Sequence, residues 1–260
     1  MKMVQGGSNA DSPFELSEPT NDLGDYSMLW YGREKIGKTS MAAQFPDPVF
    51  LMCEPGGKAL RIMKRDIMNW KDFVGSVDWL EAHPKKFQNV VVDTADRAAK
   101  MCEDSILQKL AIQHVSDAEW GKGYAMVKDE FAKQISRLLK LGRGVIFTSH
   151  AVERNIKSRS GASYDRIEPT MPKMAKEVLE PMVDIWAYLA YDEDGGRVLD
   201  IRGNDHVAAG HRLQEHFVGV EKIPMGKEAK AAYDNFVAAF HNKLEVAAPK
   251  PKATFRIPKK

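Results

Sequence analysis

The chain has 260 residues, 43% hydrophobic and 28% charged, enough to bury one substantial core. It carries no run of about 18 uncharged apolar residues and no apolar stretch at its start, so the expectation is a soluble, cytoplasmic protein with no membrane partner. A formal charge of +2 excludes nothing about nucleic acid, because binding depends on local clustering of Lys and Arg.

Taken in chain order, residues 1–25 are rich in Pro, Gly, Ser, Asn and Asp without periodicity and read as a flexible arm. Apolar runs at 27–31, 49–53, 89–93 and 145–149 read as strands buried on both faces. Between them, helical spacing covers 38–44, 70–82, 95–113 and 124–141, the last with Val127, Phe131, Ile135 and Leu138 on one stripe. The stretch 171–183 places Met174, Val178, Leu179 and Met182 at core-facing helical spacing. Strands at 184–191 and 197–202 flank Asp192-Glu193-Asp194-Gly195-Gly196, a hairpin turn, and a last helix spans 227–243. Residues 246–260 form a basic tail, leaving one domain over 26–245. The rhythm predicts an α/β fold: a mostly parallel sheet flanked by helices, with an antiparallel edge hairpin. Cys53 and Cys102 lack metal-ligand or CxxC spacing and read as small core residues of a reducing compartment.

The strongest motif is Gly32-Arg33-Glu34-Lys35-Ile36-Gly37-Lys38-Thr39, a complete Walker A loop between an apolar strand and a helix. Gly32 and Gly37 permit the turn that aims backbone N–H groups at phosphates, and the following helix adds its dipole. Lys38 is expected on the β and γ phosphates of ATP and Thr39 on Mg²⁺, with Ser40 a weaker hydroxyl candidate. Asn89-Val90-Val91-Val92-Asp93 has the pattern of a Walker B strand, its aspartate holding magnesium through water. Glu54 follows the preceding strand and is a candidate to activate water, and His150, ending the strand at 145–149, is a candidate γ-phosphate sensor.

This order of elements over about residues 26–212 resembles the RecA-like ATPases. More narrowly, the opening Trp30-Tyr31-Gly32 to Thr39 and the Ser149-His150 strand end are similar to phage-encoded nucleotide-binding proteins related to RecA, some of them single-strand annealing proteins. The resemblance implies Glu54 as the water-activating glutamate and His150 where many RecA-like proteins carry glutamine. It also implies that 151–172 is the mobile DNA-binding loop. There Arg154, Lys157, Arg159 and Arg166 supply charge for phosphates and Tyr164 an aromatic for stacking, diluted by Glu153, Asp165 and Glu168. Arg202 and Arg212 are weak candidates for a basic residue acting on a neighbour's γ-phosphate. Implied with these are a slow, DNA-modulated ATPase, a ring or filament of copies, single-stranded DNA, and recombination or strand annealing in a phage-infected or prophage-carrying bacterial host. Single-strand-binding or other replication and recombination proteins are the implied partners. The alternative is an ATP-dependent switch or adaptor, helicase-loader-like, acting on a protein partner.

Overall fold

The computed structural model describes residues 18–158, 161 and 163–245; the arm over 1–17, Arg159, and the tail over 246–260 lie outside them. Packed structure starts before Tyr26, since Leu23–Asp25 forms a single 3-10 turn with Leu23 buried. The Asp22 carboxylate caps that turn, accepting from Gly24 N at 2.8 Å.

In chain order the described elements are β1 (Met28–Gly32), α1 (Lys38–Ala42), β2 (Pro48–Met52), β3 (Met63–Asp66), α2 (Trp70–Ala82), β4 (Asn89–Asp93), α3 (Ala95–Leu110) and α4 (Lys122–Leu139). There follow β5 (Gly144–Ser149), β6 (Ala151–Lys157), β7 (Ser163–Pro169), α5 (Lys173–Met182), β8 (Ile185–Tyr191), β9 (Arg197–Asp200), β10 (Gly210–His211), β11 (Lys222–Pro224) and α6 (Ala229–Phe240). The main sheet runs β11-β9-β8-β1-β5-β4-β2-β3, with β10 also on β8. Strands β8 through β3 are parallel; β9, β10 and β11 join antiparallel. This is the mostly parallel α/β arrangement expected from the sequence, antiparallel edge included.

Helix starts follow local capping. Asn69 accepts from Asp72 N at 3.0 Å to open α2, and Thr94 accepts from Arg97 N at 3.4 Å to open α3. Helix α3 stops at Leu110, short of the expected 113, because Ala111 turns into the left-handed region at φ 53° and closes the helix. Apolar residues fill both faces of the sheet. On one, Leu29, Val90, Val92 and Phe147 pack under Phe73, Val77, Phe131 and Ile135 of α2 and α4, with Val178 and Leu179 of α5. On the other, Met28, Trp30, Val91 and Ile146 pack against Met41 of α1 and Phe236 and Phe240 of α6. Both cysteines are buried thiols, raised by burial to about 12. No helix among the described residues is long and apolar enough to cross a membrane.

The expectation of a mobile loop over 151–172 needs correcting. Strands β6 and β7 form an antiparallel ribbon in continuous register from Ala151↔Pro169 to Lys157↔Ser163. Its residues alternate two faces, and charged and polar side chains on both hide the strand period. The ribbon is stitched to the body through β7: Ile167 N donates to His206 O at 2.8 Å and Ala208 N to Ile167 O at 3.1 Å. The Tyr31 hydroxyl also donates to Ile167 O, at 3.1 Å.

Candidate active site

Parallel register brings the C-terminal ends of the central strands to one edge: Tyr31 lies beside Ser149, and Met52 beside Asp93. The loop after β1 needs glycine at two points. A Cβ on Gly32 would stand 2.5 Å from Leu189 O, and Gly37 has φ +112° with Arg197 Nη1 2.8 Å from where its Cβ would be.

Lys38 is 6% exposed, and its Nζ donates to the carbonyls of Gly32 (2.8 Å) and Arg33 (3.0 Å). Burial pulls its ammonium below the usual lysine range, opposed by Asp93, Asp96, Glu54 and Glu34. Thr39 Oγ1 donates to Asp93 Oδ2 at 2.8 Å, and Thr148 Oγ1 donates to Asp93 Oδ1 at 2.5 Å. Glu54 accepts from Thr94 Oγ1 at 2.8 Å through one carboxylate oxygen and lies 3.2 Å from His150 Nε2 through the other. His150 Nδ1 is buried without a hydrogen-bond partner in the described residues.

One cavity of about 600 Å³ gathers Glu34, Lys35, Gly37, Lys38, Thr39, Ser40, Glu54, Asp93 and His150. Of the remaining loop residues, Ile36 is buried and Arg33 sits over the Tyr191 ring, 5.9 Å from its centroid. The lining has the chemistry of a nucleotide and metal site: a hydroxyl paired with a carboxylate for a hard cation, a cation beneath the loop for phosphates, and a second carboxylate facing them.

Four participants were not singled out from sequence. Thr94 and Thr148 orient the two carboxylates. Asp96, on the first turn of α3, accepts at Oδ1 from both Ser149 Oγ (2.9 Å) and Thr170 Oγ1, so one oxygen holds both roots of the β6–β7 ribbon. Burial raises the Asp96 pKa, opposed by those two hydrogen bonds.

Arg197 opens β9 directly after the edge turn. Its Nη1 donates to Ile36 O at 3.1 Å, while Nε and Nη2 donate to Gly226 O at 3.2 and 3.0 Å. It thereby ties the phosphate loop to the antiparallel edge. Arg197→Ala removes charge-assisted hydrogen bonds worth about 1.5–3 kcal/mol each. Titration with a fluorescent nucleotide is expected to show binding weaker by about tenfold; a shift under twofold would mean the loop holds its shape unaided.

Arg202 and Arg212 stand elsewhere. Because β9 runs antiparallel to β8, with Arg197 beside Tyr191 and Asp200 beside Tyr188, Arg202 emerges at the edge opposite the loop, on Glu221 at 3.2 Å. Arg212 donates to the carbonyls of Pro181 (2.7 Å) and Val183 (2.9 Å) at that same far edge. Neither enters the cavity of its own chain. On the ribbon, register places Arg154 opposite Arg166 and Ile156 opposite Tyr164, all on one face. Arg154 Nε pairs with Glu168 at 2.7 Å, and Tyr164 meets the His206 ring edge-on. Lys157 is exposed at the end of β6 on the other face.

A KaiC-like protein from the hyperthermophilic archaeon Pyrococcus horikoshii is structurally similar at a TM-score of 0.48 and 16% identity, covering 80% of this chain and 88% of that one. No curated protein matches the chain. The sequence model of the AAA domain family matches residues 25–213, which include the phosphate loop, Glu54, Asp93, His150 and the ribbon. The chain therefore belongs to the AAA domain family, a family of P-loop ATPases.

Proposed function

We propose that this protein binds ATP with magnesium at the loop after β1, hydrolyses it to ADP and phosphate, and couples that cycle to single-stranded DNA in phage-type recombination or strand annealing. The observation that carries the reading is the convergence of Lys38, Thr39, Asp93, Glu54 and His150 on one cavity from whose rim the β6–β7 ribbon departs. Thr39 and Asp93 would hold magnesium, which supplies neutralisation of phosphate charge when bound. Lys38 and the loop N–H groups position the β and γ phosphates. Glu54 orients the attacking water and takes its proton as the water oxygen bonds the γ-phosphorus and the bond to the β–γ bridging oxygen breaks. His150, against Glu54 and one residue before β6, relays the state of the γ-phosphate to the ribbon.

Arg154 and Arg166 on one ribbon face suit phosphates, and Tyr164 beside them suits base stacking. The reading includes a head-to-tail ring or filament in which Arg202 or Arg212 of one copy meets the nucleotide of the next; both stand at the edge opposite the loop, where such a neighbour would lie. Fluorescence anisotropy with labelled oligothymidine tests the ribbon: Arg154→Gln with Arg166→Gln is expected to weaken binding at least about tenfold in low salt. Unchanged affinity would remove the ribbon from the DNA site. Slow ATP turnover indifferent to oligothymidine would favour the adaptor reading instead.

A further inference from the structure

Beyond the turn that carries Glu54, two hollows of about 380 and 410 Å³ share Met68, Arg97 and Met101 and so form one trough. It runs from the 54–58 turn past the end of β3 to the outer side of α3. Its cations are Lys58, Lys64, Lys71 and Arg97. Every carboxylate lining it already has a partner: Asp66 pairs with Lys64 at 2.8 Å, Asp104 with Lys100 at 3.1 Å, and Glu54 with Thr94 and His150. Lys58, Lys71 and Arg97 make no ion pair or side-chain hydrogen bond among the described residues and are exposed. Three cations without ion pairs, Lys58, Lys71 and Arg97, thus stand together along the trough. Met68, 78% exposed in the middle of it, adds a flexible apolar surface.

We propose that this trough is a second track for single-stranded DNA, with Lys58, Arg97 and Lys71 each neutralising a phosphate and Met68 resting against bases. The proposal rests on the reading of the protein as a DNA-coupled ATPase. A single strand fits better than an acidic peptide because the trough opens at the same sheet edge as the ribbon. Strands β5, which feeds the ribbon, and β3 lie three positions apart, about 14 Å at about 4.8 Å per strand. A few nucleotides bridge that distance, so one strand can lie on the ribbon face and continue into the trough, passing over Glu54. The recognition is of phosphate charge and is indifferent to base sequence.

The test compares the parent with two variants, Lys58→Gln/Lys71→Gln/Arg97→Gln and Arg154→Gln/Arg166→Gln, by oligothymidine binding across a salt series and by ATP turnover without DNA. The trough variant is expected to keep basal turnover, to bind at least tenfold more weakly in low salt, and to lose about 2 from the slope of log affinity against log salt, since each phosphate contact on a single strand contributes about 0.7. A trough variant with parental affinity and slope, beside a ribbon variant that has lost binding, overturns the second track and leaves the DNA reading standing. A parent that binds no oligothymidine overturns both. Tighter binding of poly-glutamate than of oligothymidine, lost in the trough variant, overturns the nucleic-acid assignment in favour of an acidic protein partner.

Discussion

Lys38→Ala is expected to weaken nucleotide binding by about thirtyfold or more while leaving the fold intact. The ammonium lies beneath the loop, held by two loop carbonyls, in a site where burial disfavours its charge. In the free protein that desolvation offsets much of what the two hydrogen bonds contribute, so removing the side chain leaves unliganded stability within about 1 kcal/mol. With a triphosphate the balance reverses, because a desolvated cation meets the charge it is placed to bind. Truncating one partner of such a pair costs about 2–5 kcal/mol, a loss of affinity of about thirtyfold or more. A thermal-shift titration with ATP and magnesium separates the two effects. The expected variant melts near the parental temperature and gains much less from nucleotide than the parent does; a parental nucleotide shift would show that the loop N–H groups suffice without Lys38.

Glu54→Gln is expected to divide binding from chemistry. Glutamine keeps the shape of the side chain and an oxygen to accept from Thr94, so the wall of the cavity survives. It cannot take a proton from water. General-base assistance contributes about 10²–10⁴-fold, and single-turnover hydrolysis in the variant should fall by that order while the dissociation constant for ATP stays within a few fold. Parental hydrolysis would dismiss Glu54 as the base and turn attention to Asp93, another carboxylate lining the cavity.

The parts of this molecule that were legible in sequence are those where one physical demand dominates. Strands β1, β4 and β5 are buried on both faces and had to be continuous apolar runs, and α4 shows its buried stripe at helical spacing. The phosphate loop is legible because few residue types permit its backbone. Strand β3 was missed because Met63-Lys64-Arg65-Asp66 is wholly exposed and carries no apolar signal, its strand character coming from pairing with β2. The β6–β7 ribbon gives no strand signal for a related reason, since it buries little of either face. Arg197, Thr148 and Asp96 reach their partners across 161, 55 and 53 residues of chain, and no local spacing encodes such pairings. Thr94 did leave a trace: a threonine after the Walker B aspartate is a good helix cap, and its second bond, to Glu54, appears only in three dimensions.

The placement of α6 bears on where this protein can be cut. The family match ends at residue 213, yet Phe236 and Phe240 of that final helix are fully buried, with the Phe236 ring 5.9 Å from Trp30 and 5.6 Å from Phe217. A fragment trimmed at the family boundary would strip an aromatic lid from the sheet and leave Trp30 and Phe45 facing water, a sticky surface prone to self-association. The damage would not stop there, because Trp30 stands on β1 two residues before Gly32. Recombinant truncation therefore belongs beyond α6, a helix distant in sequence from the phosphate loop that still braces the strand on which the loop is mounted.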